Sequence, residues 1–203
     1  MPSKRSAARR RAEPARGIRR TVAAPGRIWR RSLPSLRHTD RLGRAIGSVL
    51  EGGESLALSG SLGAGKTALV RGIASGLGAS PQAVSSPSFV LLHEYLGRLP
   101  LAHLDLYRLN SAKEAEAIGL GDYLSGRTVV AVEWADKAPS ILPDDRLEME
   151  LRHQSVQSRN IEFRATGPVS AALLARLKHA TMLQKERPRS RQPRRSFKGT
   201  SRS

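Results

Sequence analysis

At 203 residues, with 39% apolar and 4% aromatic side chains, the chain has the length for one domain of ordinary size, whose core must rest on Leu, Val, Ile and Ala. It contains no cysteine, which excludes disulfides and thiolate metal sites and fits a reducing compartment. Its apolar runs fall short of the ~18 residues that cross a bilayer and it opens on no apolar segment of signal-peptide type, so the expectation is a soluble, cytoplasmic protein without membrane contact.

The formal net charge of +18 suggests a nucleic-acid binder, but the charge is unevenly spread. Residues 1–33 carry eleven Lys+Arg against one acid, Glu13, and residues 184–203 carry eight against one, Glu186. Residues 34–183 are left with a balance of +1. The two ends, rich in Arg, Ser, Pro or Ala and without apolar period, read as basic disordered extensions of a domain spanning 34–183. Three readings of them stay open. They are inert solvated extensions, or they lend nonspecific RNA affinity through phosphate contacts, or the first thirty residues are a transit peptide or the product of a mis-chosen start. Any RNA affinity of the chain is expected to reside mainly in these extensions.

Along the core, Leu42, Ala45, Ile46, Val49 and Leu50 share one face of a helix that follows a Thr39-Asp40 start signal and stops at Gly52-Gly53. ESLALSG reads as a short buried strand, and KTALVRGIASGLG as a helix with Leu69, Val70, Ile73 and Leu77 on one side. The segments SSPSFVLLHEYLG and RLPLAHLDLYRL are expected to pair as a hairpin, with two short helices over 111–125. RTVVAVEW is a buried strand ending in Glu133; RLEMELRH and RNIEFRAT alternate as half-exposed strands, and SAALLARLKHA closes the domain as an amphipathic helix. Helices interleaved with strands, some adjacent, imply an α/β layered fold with a mixed sheet.

Between the first strand and the second helix lies GSLGAGKT: Gly60, Ser61, Leu62, Gly63, Ala64, Gly65, Lys66 and Thr67. It satisfies the phosphate-loop pattern G-x-x-x-x-G-K-[ST] in full and has the strand before and helix after that the pattern requires. Glycines let backbone N–H groups converge on an anion, and the positive end of the following helix points at the same phosphates. Lys66 supplies a cation for the β- and γ-phosphates, and the Thr67 hydroxyl can ligate Mg²⁺. The expected ligand is a nucleoside triphosphate.

Such a loop needs an acid near its metal, at the end of a neighbouring strand. Glu133 closes the cleaner apolar run and is assigned to the metal; Asp105, ending LAHLD, is left to orient the attacking water or act as base. His103 reads as a hydrogen-bonded structural histidine. Trp134 packs in the core or stacks on a base or a partner. Ser85, Ser86 and Ser88 flank Pro87 in a turn that either senses a γ-phosphate or is plain surface.

These segments, with SSPSFVLLHEY, LAHLDLYRL and VVAVEWADKAP in order, resemble the TsaE family, formerly the YjeE-type ATPases, over roughly residues 38–180. The resemblance implies a P-loop NTPase-type three-layer α/β domain with a mixed parallel/antiparallel sheet. It implies an ATPase that works with TsaB and TsaD in forming threonylcarbamoyladenosine beside the tRNA anticodon, resetting the transferase complex between turnovers. It also implies that Gly63 to Lys66 cradle the phosphates of ATP, that Thr67 and Glu133 hold Mg²⁺, that Asp105 sits at the hydrolytic centre, and that Thr39 and Arg159 lie near the nucleotide. The chain departs from the family pattern at Ser61, where an aspartate is usual, and at Ser88, where a threonine is usual. Two rival classes use the same loop: a small-molecule kinase, with Arg108 or Arg127 as lid candidates, and an RNA-binding adaptor that nucleotide only switches.

Overall fold

Val129–Glu133, Leu101–Asp105 and Ser55–Ser59 are almost wholly buried, as strands covered on both faces are. The computed structural model describes residues 28–79, 92–109, 113–114, 119–124 and 126–186, and puts these three segments at the centre of one sheet. In chain order its strands are β1 (Ile28–Leu33), β2 (Ser55–Ser59), β3 (Leu92–Tyr95), β4 (Leu101–Asp105), β5 (Val129–Glu133), β6 (Leu147–His153) and β7 (Arg159–Ala165). The spatial order is β1-β7-β6-β2-β5-β4-β3. Strands β6, β2, β5 and β4 run parallel; β3, β7 and β1 join antiparallel to their neighbours. This is the expected mixed α/β sheet, and β3 with β4 is the expected hairpin.

The helices α1 (Leu36–Val49), α2 (Lys66–Gly76) and α3 (Pro168–Glu186) cover one face. Leu56, Leu58, Met149, Leu151, Ile161 and Phe163 point from the strands into this layer and meet Ile46, Leu69, Ile73 and Leu173. On the other face, among the described residues, one helical turn at Leu120–Tyr123 and two 3-10 turns at 135–137 and 139–141 cover Ala102, Leu104, Val130 and Val132. Of the two short helices expected over 111–125, the Leu120–Tyr123 turn is observed; residues 110–112, 115–118 and 125 lie outside the described residues.

Helices α1 and α2 pack backbone to backbone. A Cβ at Gly43 would lie 2.4 Å from the Leu69 carbonyl oxygen, and one at Gly47 2.3 Å from that of Ile73. The relation is reciprocal: a Cβ at Gly72 would lie 2.5 Å from the Asp40 oxygen and one at Gly76 2.4 Å from that of Arg44. Glycines four apart on both helices remove the side chains that would hold the axes apart.

The expected domain boundaries are corrected at both ends. Residues 28–33, assigned to the basic extension, form β1, paired with β7 from Ile28↔Arg164 to Leu33↔Arg159. The closing helix runs to Glu186, past the expected end at 183. β1 escapes the sequence pattern because its inward positions are Trp29, Arg31 and Leu33. Arg31 breaks the apolar period, yet it is accommodated by laying its guanidinium 5.0 Å from the Trp29 ring centroid. Trp29 packs in turn on Phe163, ring centroids 5.2 Å apart. Trp29→Ala in the full chain is expected to cost ~1.5–3 kcal/mol, as for removal of a packed large apolar side chain. A urea titration reads this as a lowered midpoint; an unchanged midpoint would place β1 outside the cooperative fold.

Candidate active site

Because β2, β4, β5 and β6 are parallel, their last residues, Ser59, Asp105, Glu133 and His153, share one edge of the sheet. The antiparallel β7 starts there with Arg159, and β1 ends there with Leu33, handing the chain to the start of α1. Residues far apart in sequence thus converge where open α/β sheets gather their ligands.

The loop from Gly60 to Gly65 connects β2 to α2 across this edge. Gly63 (φ 75°) and Gly65 (φ 102°) are left-handed, a conformation that strains other residues. A Cβ at Gly65 would point toward Arg159, 3.7 Å from its Nε, and one at Gly63 toward His153, 3.8 Å from its Nε2. The cradle is therefore open backbone walled by an arginine and a histidine. Lys66 is 4% exposed, and its Nζ donates to the carbonyl oxygens of Gly60 (2.7 Å) and Ser61 (3.0 Å). The same ammonium sits 3.6 Å from the Trp134 ring centroid. Burial lowers the Lys66 pKa from the ordinary lysine value, against the opposing pull of Glu133, Asp105 and Asp136.

The Thr67 hydroxyl donates to Glu133 Oε2 at 2.9 Å. The other carboxylate oxygen of Glu133 is held by His103, whose Nε2 lies 2.8 Å from Oε1. Glu133 is 2% exposed and His103 fully buried. An ionised carboxylate only accepts, so Nε2 carries the proton, and the ring fixes which way the acid faces. His103 is thus the structural histidine expected, and what it orients is the acid assigned to the metal. Asp105 is the register partner of Glu133 on the adjacent strand, and its Oδ1 accepts the Tyr107 backbone N–H at 2.9 Å. Burial pushes its pKa above the ordinary carboxylate value; the Tyr107 N–H opposes this, and the negative charge of Glu133 adds to it.

Trp134 follows Glu133 with φ 57°, the one positive-φ residue other than glycine among those described. A left-handed tryptophan is a strained conformation held by its surroundings. Here they are Lys66 on its face and Tyr107 with ring centroids 5.0 Å apart. Of the two expected roles, the packing one is what the geometry displays, with the phosphate-loop lysine as the partner.

Arg159 is 6% exposed; its Nη1 donates to the Gln157 carbonyl at 2.6 Å while its Nε has no partner among the described residues. Thr39 is fully buried and its Oγ1 is likewise unpartnered among them. It lies one turn along α1 from Leu36, whose Cδ2 is 3.9 Å from the position of a Cβ on Gly65. The structure therefore brings together Gly60–Thr67, Asp105, Glu133, Trp134 and Arg159, with Thr39 just behind. Ser85, Ser86 and Ser88 lie outside the described residues. Arg127, one of the two lid candidates, is at the opposite end of the sheet, where its Nη2 donates to the Glu51 carbonyl at 3.3 Å. His153 and Leu36 carry no signal in the sequence. They reach the loop only through the β6–β7 pairing and the docking of α1, which no local pattern announces.

This arrangement fits a phosphate group with a hard cation. The cradle leaves space where a side chain would stand, two buried donors near it have no partner among the described residues, and one hydroxyl and one carboxylate supply oxygen ligands. Thr67 and Glu133 offer oxygen donors of the kind that Mg²⁺ takes, which is commonly held by one or two protein oxygens together with substrate phosphates.

Comparison with known proteins gives the family and the fold. Residues 33–161 match the family described as "Threonylcarbamoyl adenosine biosynthesis protein TsaE". The chain is 38% identical over 140 residues to the tRNA threonylcarbamoyladenosine biosynthesis protein TsaE of Bacillus subtilis, covering 68% of this chain and 85% of that protein. It is 39% identical over 127 residues to the protein of the same name from Treponema pallidum, covering 63% of this chain and 93% of that one. The crystal structure of Bacillus subtilis YdiB superposes with a TM-score of 0.64 at 30% identity, over 76% of this chain and 96% of that chain. The chain has the P-loop NTPase-type α/β fold and belongs to the TsaE family.

Proposed function

We propose that this protein binds and hydrolyses ATP with Mg²⁺, and that it does so as the ATPase subunit supporting threonylcarbamoyladenosine formation in tRNA, resetting a TsaB–TsaD transferase between turnovers. The observation that carries the ATPase reading is the Thr67–Glu133 hydrogen bond of 2.9 Å beside Lys66. It joins the hydroxyl of the phosphate loop to the acid of a neighbouring strand, the two protein ligands that a nucleotide-bound metal needs. The tRNA pathway rests on family membership.

In this reading the backbone N–H groups of Gly63 to Lys66 hold the β- and γ-phosphates, and Lys66 gives up the Gly60 and Ser61 carbonyls to meet them. Arg159 adds a second fixed positive charge from the far wall. Thr67 and Glu133 hold Mg²⁺, which when bound neutralises charge on the β- and γ-oxygens. Asp105, beside Glu133 along the same edge, orients a water and takes its proton. Burial raises the Asp105 pKa and so makes it a stronger base than an ordinary aspartate, and Glu133 is already engaged on both oxygens.

The two acids separate in a kinetic experiment. Glu133→Gln is expected to raise the half-saturating Mg²⁺ about 10–100-fold, the equivalent of one charge-assisted contact. Asp105→Asn is expected to lower kcat about 10²–10⁴-fold at saturating Mg²⁺, the usual contribution of a general base. Only the ionised Asp105 accepts a proton, so wild-type turnover should fall on acidification through a pKa raised above the ordinary aspartate value. Asp105→Asn should lack that limb. Exchanged phenotypes would reverse the two roles, and two unaffected variants would remove this edge as a hydrolytic site.

A further inference from the structure

The balance of +1 over residues 34–183 conceals a segregation of charge. Arg37, Arg41 and Arg44 fall at i, i+4 and i+7 on the exposed side of α1, opposite the face that Leu42, Ala45 and Ile46 bury. With Arg71 of α2 they line an open groove of about 870 Å³, whose floor includes Ala68. His38 and Arg41 also line an adjoining groove that continues to Arg31 on β1, so one band runs from the sheet edge across both helices. Among the residues lining these grooves Asp40 is the single acid, and its Oδ2 is bonded to Arg44 Nε at 2.8 Å. Glu148, Glu150 and Glu162 on β6 and β7 are each paired with an arginine, whereas of the four groove arginines Arg44 alone has an ion pair with a carboxylate among the described residues.

We propose that this α1–α2 face binds the phosphodiester backbone of RNA. Three observations favour that occupant. The guanidinia at 37, 41 and 44 span ~10 Å along the helix axis, at 1.5 Å per residue. A row of charges on that scale can meet more than one phosphate of a single strand, and arginine's fork is suited to phosphate oxygens. The band adjoins the nucleotide loop, because Leu36 and Ala68 of the groove flank Gly65 and Lys66. Finally, the exposed large apolar side chain in the groove is Leu36 alone, at 51% exposure, whereas an interfacial helix presents a row of aromatic and aliphatic groups to a bilayer. That the RNA is a tRNA rests on the function proposed above; the phosphate chemistry does not.

The test compares the full chain with a full-length variant carrying Arg37→Gln, Arg41→Gln, Arg44→Gln and Arg71→Gln, all at exposed positions outside the nucleotide site. Binding of unmodified tRNA is titrated across a salt series, with ATP affinity and turnover measured on the same samples. The wild-type slope of log K against log salt should become shallower by about three to four units in the variant, close to one per lost phosphate contact. ATP affinity should stay within about twofold, since none of the four side chains reaches the phosphate loop. Lysines at the same four positions should restore the slope, since the contacts are charge contacts first. A variant with undiminished tRNA affinity and slope would overturn the proposal and return RNA binding to the terminal extensions. So would a Gln variant that keeps tRNA but no longer binds vesicles containing phosphatidylglycerol, which would make the band a membrane surface. Should the quadruple variant lose ATP binding as well, the single charge reversal Arg41→Glu supplies the same comparison. Absence of ATP turnover in the wild type, with the slope change intact, would sink the ATPase reading and leave the RNA surface standing.

Discussion

Lys66→Ala is expected to weaken ATP binding by tenfold to a hundredfold or more. A charge-assisted hydrogen bond to phosphate is typically worth ~1.5–3 kcal/mol, which alone gives that range. The geometry argues for its upper end. Lys66 Nζ holds the Gly60 and Ser61 carbonyls and covers the face of Trp134, so its loss also releases the first turn of the loop and uncovers an aromatic ring. Lys66→Arg should recover only part of the affinity, because the planar fork cannot take the place of a compact ammonium between two carbonyls and a ring. Titration calorimetry on the three proteins measures this directly. Equal affinities in wild type and Lys66→Ala would take the lysine out of the site and with it the phosphate-loop reading.

The largest expected effect on stability belongs to the helix crossing. Gly47→Val should cost at least ~3 kcal/mol, at or beyond the usual upper end for an overpacked core position. Its Cβ would fall 2.3 Å from the Ile73 oxygen and 2.8 Å from the Gly76 Cα, both backbone atoms that no rotamer change can move aside. The helices must therefore separate, which unpacks Ile46, Leu69 and Ile73, all fully buried. For a domain of this size the loss is a fall in Tm of ~6–12 °C, at roughly 2–4 °C per kcal/mol. Gly121→Ala is the control: nothing lies within 4 Å of a Cβ there, and replacing a helical glycine should be neutral or mildly stabilising. A Gly47→Val protein that melts with wild type would mean that the crossing yields freely.

What the sequence made legible was local or continuous. The loop from Gly60 to Thr67 announces itself because phosphate binding constrains neighbouring residues, and β5 because a strand buried on both faces is an unbroken apolar run. What escaped depended on partners distant along the chain. Arg31 hides β1 until Trp29 and Phe163 are seen stacked beneath it. The bond from His103 to Glu133 requires knowing that β4 lies parallel to β5 with Asp105 opposite Glu133. Gly43 and Gly47 read alone only as weak points in a helix; Gly72 and Gly76 give them their purpose. The arginines of α1 escaped because summing charge over residues 34–183 averages one exposed row against acids spread through the rest of the domain.

The glycine crossing has a thermodynamic side. Each of its four glycines makes its helix about 1 kcal/mol less favourable than alanine would, so neither α1 nor α2 is a robust helix in isolation, and each is ordered chiefly by docking on the other. The pair therefore forms and frays as one cooperative unit. A ligand that settles on the start of α2 stabilises α1 too, although it touches little of it. Were a polyanion held along Arg37, Arg41, Arg44 and Arg71 as proposed, and a nucleotide at Gly60–Thr67, both would draw on the same ordering free energy, and linkage would make each strengthen the other's hold by the same factor.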